Sequence, residues 1–138
     1  MAAELKSKFE GKWVHDRSEN LGAFLEKAGV GMIKRNLVQQ LSPTMVISVE
    51  GETITVSITA GPKTNKSSFK LGEDYAVEGE QKGTATTTYE GGKMKTVIKP
   101  NDSKLTGHTI LRDICPKGQL VQTMETGGVT ATRYFNKA

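Results

Sequence analysis

Cysteine is nearly absent from this chain: its 138 residues include one, Cys115. No disulfide can form within the chain, and a lone thiol fits a reducing compartment better than secretion. Long apolar runs are absent as well. No stretch approaches the ~20 apolar residues of a transmembrane helix, and none near the N-terminus has signal-peptide length. We therefore expect a cytoplasmic protein.

The residue combinations of common catalytic and metal sites are also missing. His15 and His108 are far apart in the sequence, with no cysteine or carboxylate at the spacing of metal ligands. Cys115 has no nearby histidine to support a nucleophile. The sequence contains no Gly-x-Ser-x-Gly motif, phosphate-binding loop or carboxylate pair. These absences argue against an enzyme and predict neither a metal nor a cofactor.

Basic residues are in excess but are not clustered. The formal net charge is +4, the lysines are scattered, and aromatic residues make up only 6% of the chain. Nucleic acid binding needs a basic patch or a stacking platform, so we expect no nucleic acid partner. Scattered lysines near an apolar helix suffice for transient contact with an anionic membrane surface. The length favours one domain, residues 1–138, which we expect to be monomeric.

Residues 18–41 have the three- and four-residue apolar spacing of helices. Ser18 or Asn20 is suited to cap a first helix, which is predicted to end at Gly29. A second helix follows at once, and Pro43 closes it. This part of the chain is therefore predicted to be a helix-turn-helix near the N-terminus.

Alternating apolar and polar residues, typical of strands, occupy most of the remaining sequence. The predicted strands cover residues 12–15, 45–50, 54–58, 67–71, 75–77, 84–89, 94–98, 105–112, 120–125 and 129–136. This pattern favours an all-β fold, a ten-stranded antiparallel up-and-down barrel that removes its sheet edges by closing on itself. Threonine and serine are common on both faces, as expected for a barrel that encloses water and a ligand.

Two strands place an arginine on an apolar face. Arg133 shares its face with Ala131 and Phe135, and Arg112 shares its face with Ile110. Burying a guanidinium without an anion is costly. Each arginine alone is more often paired with a neighbouring carboxylate. Two together predict an apolar ligand that carries a carboxylate.

Other residues are predicted to line the cavity. Gln122 and Met124 share a face, although a register error of one residue would turn Gln122 to solvent. A lid is predicted from apolar residues of the helices, for which plain packing against the barrel rim is the alternative. These lid residues are Leu25, Ile33 and Val38.

Several short motifs are distributed along the chain. They are the Gly11-x-Trp13 start, Asn20 before the first helix, Gly29-Val30-Gly31 between the helices, Arg35 in the second helix and Pro43-Thr44 before the strands. Together they resemble the cytosolic fatty-acid-binding and retinoid-binding family of intracellular lipid-binding proteins. Residues 68–75 and the C-terminal end also match. The resemblance implies a ten-stranded β-clam, capped by the helical hairpin, around a water-filled cavity.

In most of that family two arginines and a tyrosine hold the anionic headgroup, the last two as Arg-x-Tyr in the final strand. The resemblance assigns these positions to Arg112, Arg133 and Phe135. Phe135 lacks the phenolic donor, and Tyr134 cannot replace it, because its side chain leaves on the opposite face. Losing one donor should weaken carboxylate binding by roughly 0.5–1.5 kcal/mol. A second departure is Pro62, in a turn where relatives often carry an apolar aromatic residue.

The resemblance and the two arginines together predict a non-enzymatic carrier that binds a long-chain fatty acid, solubilises it and transports it. Two alternatives stay open at this point. One is a carrier of a retinoid or a bile-acid-like ligand, and the other is a protein that stacks membranes without a ligand. An enzyme would need a general base or nucleophile facing the cavity, and the sequence offers no convincing candidate.

Overall fold

The computed structural model describes residues 2–77, 83–101 and 107–138. Its helices are α1 (Ala2–Phe9), α2 (Leu21–Lys27) and α3 (Met32–Gln40). Its strands are β1 (Gly11–Glu19), β2 (Thr44–Glu50), β3 (Thr53–Ala60), β4 (Lys63–Lys70), β5 (Asp74–Val77), β6 (Gly83–Glu90), β7 (Lys93–Pro100), β8 (His108–Ile114), β9 (Leu120–Thr126) and β10 (Val129–Lys137). None of the helices in these ranges combines the length and apolar character needed to cross a membrane.

The strands form one antiparallel sheet in the order β4-β3-β2-β1-β10-β9-β8-β7-β6-β5. The first strand pairs with the last, and this contact turns the meander into a nearly closed barrel. The predicted all-β up-and-down barrel with an N-terminal helix-turn-helix is therefore confirmed. Residues 105 and 106 of the predicted strand 105–112 lie outside the described residues.

The helical hairpin begins later than predicted because β1 is longer than the predicted strand 12–15. Ser18 lies inside β1, opposite Arg133 of β10, so it cannot cap a helix. Asn20 occupies the N-cap of α2 with a φ of 59°, but its side chain makes no capping bond. That side chain donates instead to the carbonyl oxygen of Thr130 at 2.8 Å. The helices therefore cover residues 21–27 and 32–40 rather than 18–41.

Helix α1 has no counterpart among the predicted elements. Its apolar residues Leu5 and Phe9 are one turn apart and fully buried. The carbonyl of Phe9 accepts a 2.9 Å hydrogen bond from the indole of Trp13, and Lys8 forms a 2.8 Å ion pair with Asp113 of β8. These contacts hold α1 against one end of the barrel.

The buried apolar residues form two clusters. The closed-end cluster joins α1 to the inner faces of many strands, and its members are Leu5, Phe9, Trp13, Met45, Ile47, Val49, Ile54, Val56, Phe69, Tyr89, Met94, Leu120 and Phe135. The hairpin-end cluster packs α2 on β9 and β10, and consists of Leu21, Phe24, Met124 and Ala131. Helix α3 buries none of its residues.

Candidate ligand-binding site

The two arginines on the inner face lie in one transverse row of side chains. Directly opposed residues in an antiparallel sheet point to the same face. The register places Arg112 of β8 and Arg133 of β10 opposite the same residue, Gln122 of β9. Ser18 of β1 continues the row beyond Arg133. One strand separates the arginines, so their backbones are roughly 10 Å apart.

This row lies between the two apolar clusters. Along β10, Arg133 separates Ala131 of the hairpin-end cluster from Phe135 of the closed-end cluster. Along β9, Gln122 likewise separates Met124 of the hairpin-end cluster from Leu120 of the closed-end cluster. A ligand whose polar end reaches the row therefore meets apolar side chains on the side of the helical hairpin.

Arg112 is a buried cation with a neutral partner. The residue is only 6% exposed, and its Nε donates to Gln122 Oε1 at 2.9 Å. Burial lowers the pKa of Arg112 to about 10, although the electrostatic effect of Tyr75 raises it. The guanidinium therefore stays charged at neutral pH. Among the described residues, no carboxylate oxygen lies within 4.0 Å of it. Gln122 donates onward from Nε2 to Met124 Sδ at 3.4 Å.

Arg133 is half-buried and is also bound by a neutral group. Its Nε donates to Ser18 Oγ at 3.0 Å, and the same oxygen lies 2.7 Å from His15 Nε2. Burial lowers the pKa of Arg133. Within residues 2–77, 83–101 and 107–138, it too has no carboxylate oxygen within 4.0 Å. The row thus carries two positive charges and no negative one.

A series of hydrogen-bonded hydroxyl groups on β5, β6 and β7 lies near the cationic row. The hydroxyl of Tyr75 is 3.0 Å from Thr87 Oγ1, which is 2.8 Å from Thr96 Oγ1. Both threonines are buried. Neither threonine is among the residues predicted to line the cavity, although alternation places Thr87 on the same face as Ala85. These hydroxyls can bind one another or a polar ligand atom without leaving an unpaired group.

Phe135 is buried in the closed-end cluster. It is opposed to His15 of β1, and the centroids of the two rings are 5.7 Å apart. Tyr134 lies on the outer face, where the guanidinium carbon of Arg17 is 3.8 Å from its ring centroid. Neither His15 nor Ser18 is among the residues predicted to line the site. Regular alternation already places His15 on the same face as Trp13, whereas Ser18 reaches that face because a β-bulge between His15 and Arg17 resets the alternation of β1.

The predicted lining and lid residues differ in their surroundings. Gln122 and Met124 face the interior, which excludes the alternative register. Leu25 packs against the hairpin-end cluster, and Val38 is half-buried on α3. The predicted lid position of Ile33 is not observed. Its side chain is 88% exposed, because α3 buries no residue against the barrel.

Ile33 belongs instead to an exposed apolar surface, which we call the α3 surface. Its other members are Met32, 67% exposed, and Leu37, 57% exposed. These side chains border a depression of about 810 Å³ that is also lined by Lys34 and Lys63. The surface therefore combines apolar side chains with basic ones.

Pro62 lies in the exposed turn between β3 and β4. The turn approaches the end of the hairpin, since a Cβ added at Gly61 would lie 3.6 Å from Leu41 Cδ2. The next residue, Lys63, lines the depression beside α3. The turn and the hairpin thus form adjoining parts of one rim.

Comparison with known proteins identifies relatives along almost the whole chain, although no family model matches it. A fatty acid-binding protein of Tyrophagus putrescentiae is 30% identical over 130 residues, covering 92% of this chain and 95% of the relative. The type 3 fatty acid-binding protein of Fasciola hepatica is 30% identical over 132 residues, covering 94% and 97%. The crystal structure of apo lipid binding protein 8 from Caenorhabditis elegans has a TM-score of 0.90 at 28% identity, covering 96% of each chain.

The fold and these relatives place this chain among the intracellular lipid-binding proteins. This chain belongs to the family of fatty acid-binding proteins, whose members are carriers and not enzymes. The family resemblance found in the sequence is thereby confirmed.

Proposed function

We propose that this protein carries a long-chain fatty acid in its barrel, with the carboxylate bound by Arg112 and Arg133. One observation carries the proposal. The two guanidiniums project into the barrel from strands on either side of β9, and among the described residues neither has a carboxylate partner. A ligand carboxylate supplies the missing negative charge.

The energetics favour an amphiphilic anion. A hydrogen bond to a charged group contributes about 1.5–3 kcal/mol, and a buried cation without an anion is unfavourable. Each methylene of the tail contributes up to ~0.8 kcal/mol when it leaves water. The arginines therefore set the orientation of the ligand, and the length of its chain tunes the affinity.

The tail extends from the row towards the helical hairpin. The neighbouring row on that side contains Met124 and Ala131, which α2 covers with Phe24. Leu25 packs against the same cluster. In this arrangement Gln122 and Met124 contact the ligand near its headgroup, and Leu25 and Val38 border its outer end. Phe135 packs below the carboxylate.

Transport also requires the carrier to meet a membrane. The α3 surface presents apolar side chains beside Lys34 and Lys63, a combination that suits transient contact with anionic headgroups. We propose that the protein works as a cytoplasmic monomer and that this surface touches the donor or acceptor membrane. No cofactor takes part, since the fatty acid is the ligand.

The test is calorimetric titration of the delipidated protein with oleate and with methyl oleate, which lacks the charge. We expect Arg133→Gln to weaken oleate binding roughly 10-fold or more and to leave methyl oleate nearly unchanged. Arg17→Gln is the matched control, because Arg17 lies on the outer face. Equal losses for both ligands would contradict a charge-paired headgroup.

Competition separates the remaining ligand classes. A fluorescent anionic fatty acid bound to the protein should be displaced by oleate and not by retinol or a bile salt. Displacement by retinol or the bile salt alone would favour those ligands instead. Aggregation of anionic vesicles by delipidated protein, without binding of any of these ligands, would favour the membrane-stacking alternative.

A further inference from the structure

The β-bulge in β1 brings two side chains to the headgroup region that regular alternation would not bring together. His15 is opposed to Phe135, and Ser18 is opposed to Arg133. His15 and Ser18 are three positions apart in the sequence. In a regular strand, residues three apart point to opposite faces. The extra residue at the bulge restores both to the inner face. Bulges often re-aim side chains beside functional sites.

The hydrogen bonds define the roles of these groups. Arg133 Nε always carries a proton, so Ser18 Oγ accepts that bond at 3.0 Å. We assign the Ser18 hydroxyl proton to the bond with His15 Nε2, which is 2.7 Å away. A nitrogen that accepts this proton leaves the ring proton of neutral histidine on Nδ1.

His15 Nδ1 is buried and makes no hydrogen bond within the described part of the chain. A buried donor without a partner costs about 1–3 kcal/mol and calls for an explanation. This donor belongs to the residue directly beside Phe135, where the family pattern has a tyrosine hydroxyl and this chain has none. Ser18 links this imidazole to Arg133, where the proposed function places the carboxylate.

We propose that His15 is a third headgroup ligand, which donates from Nδ1 to the fatty acid carboxylate and replaces the absent phenol of the Arg-x-Tyr pattern. Ser18 is a positioning residue, since it holds the imidazole in the donor tautomer and ties it to Arg133. The inference rests on the proposed function, because it requires a carboxylate at Arg133.

This arrangement makes binding depend on pH. Burial and the charge of Arg133 lower the pKa of His15, while the Arg17 backbone and Asp16 on the same strand act in the opposite direction. A bound carboxylate favours the protonated ring and raises this pKa. Affinity for an anionic ligand is therefore greatest below the pKa of the ligand-free protein, and it falls as pH rises through the higher pKa of the complex.

The experiment compares oleate with oleyl alcohol, which has the same chain and no charge, in calorimetric titrations of the delipidated protein. We expect His15→Leu to weaken oleate binding roughly 2- to 12-fold and to change oleyl alcohol binding less than about 2-fold. Phe135→Tyr added to His15→Leu should recover most of the loss, because it restores a donor in the adjacent position.

The matched control is His108→Leu, which changes the other histidine. The ring of His108 packs against that of Phe24, with their centroids 5.8 Å apart, and His108 is not in the cationic row. Dodecyl sulfonate, whose headgroup stays ionised at mildly acidic pH, should bind the unaltered protein and His108→Leu more tightly at pH 6 than at pH 8. His15→Leu should lose that difference. Nitrogen-15 NMR of the unaltered protein should show the proton on Nδ1 and a higher His15 pKa with ligand bound.

The outcomes distinguish this inference from the proposed function. Unchanged oleate affinity in His15→Leu, or a His15 pKa that oleate does not move, overturns the role of His15 and leaves the fatty acid carrier intact. Failure of the unaltered protein to bind oleate overturns both. Equal losses for oleate and oleyl alcohol show a packing role for His15 and also overturn the inference.

Discussion

The two ends of the barrel are built on opposite principles. At the closed end, α1 buries Leu5 and Phe9 completely and is held by the indole of Trp13 and the carboxylate of Asp113. At the other end, α3 buries no residue and exposes Met32, Ile33 and Leu37. One helix is part of the core, whereas the other lies on the rim.

The contrast between the two ends indicates which part of the barrel stabilises the fold and which part can open. Packed contacts must be broken for unfolding, so the closed end carries much of the free energy of unfolding. A ligand that is buried below the helices needs an element that separates at low cost, and α3 has few contacts to lose. In the proposed function, the ligand then reaches the cationic row between the two clusters from the hairpin end.

The largest expected effect comes from the closed end. Phe9→Ala should lower the free energy of unfolding by about 3–5 kcal/mol, because it removes a fully buried ring from a packed cluster. Urea denaturation monitored by Trp13 fluorescence measures the change. Leu37→Ala on α3 is the control and should stay within about 0.5 kcal/mol. Similar losses for both variants would abolish the distinction between the two ends.

The next effect separates stability from binding at the cationic row. Arg112→Met should raise the free energy of unfolding of the ligand-free protein by about 1–3 kcal/mol, since it replaces a buried cation that has no described carboxylate partner. The same change should weaken oleate binding roughly 10-fold or more. Denaturation and calorimetry measure the two quantities. A less stable variant would mean that Arg112 stabilises the empty barrel.

A smaller effect concerns the ion pair that ties α1 to β8. Burial raises the pKa of Asp113, but hydrogen bonds from Lys8 and the Ile114 amide outweigh it, and the pKa is lowered overall. A carboxyl with a lowered pKa contributes stability above its unfolded pKa and loses it as pH falls through the folded one. Asp113→Asn should cost about 0.5 kcal/mol at pH 7, because the pair is partly exposed.

The pH dependence provides the control for that substitution. The difference between Asp113→Asn and the unaltered protein should shrink when denaturation is repeated at a pH below the lowered pKa of Asp113, where the carboxyl is protonated. A constant difference at both pH values would assign the loss to packing rather than to charge.

The smallest effect on stability is expected on the α3 surface. Ile33→Ser and Leu37→Ser together should change the free energy of unfolding by less than about 1 kcal/mol, because both side chains are exposed. They should nevertheless slow transfer of a fluorescent fatty acid to anionic vesicles, by removing apolar contact with the membrane. Val14→Ser, an exposed apolar position on β1, is the matched control. Unchanged transfer would exclude the α3 surface from membrane contact.

Much of the fold follows from local pattern, because strands and helices have different periods. Alternation predicts the strands and the inward direction of Arg112 and Arg133, and the spacing around Gly29 predicts the hairpin. Alternation fails at Ser18, since a bulge depends on the partner strand. It also gives no account of α1, whose two buried residues, Leu5 and Phe9, are too few for a periodic signal.

The cationic row shows the same contrast between what local sequence determines and what tertiary structure determines. Local sequence determines that two guanidiniums face inward, because successive side chains in a strand alternate between its two faces. It also determines that Phe135 offers no hydroxyl. The bond between Arg133 and Ser18 joins residues 115 positions apart. Only the closure of β1 on β10 brings these side chains and the imidazole of His15 together. That closure depends on the packing of the whole barrel, which no short segment encodes.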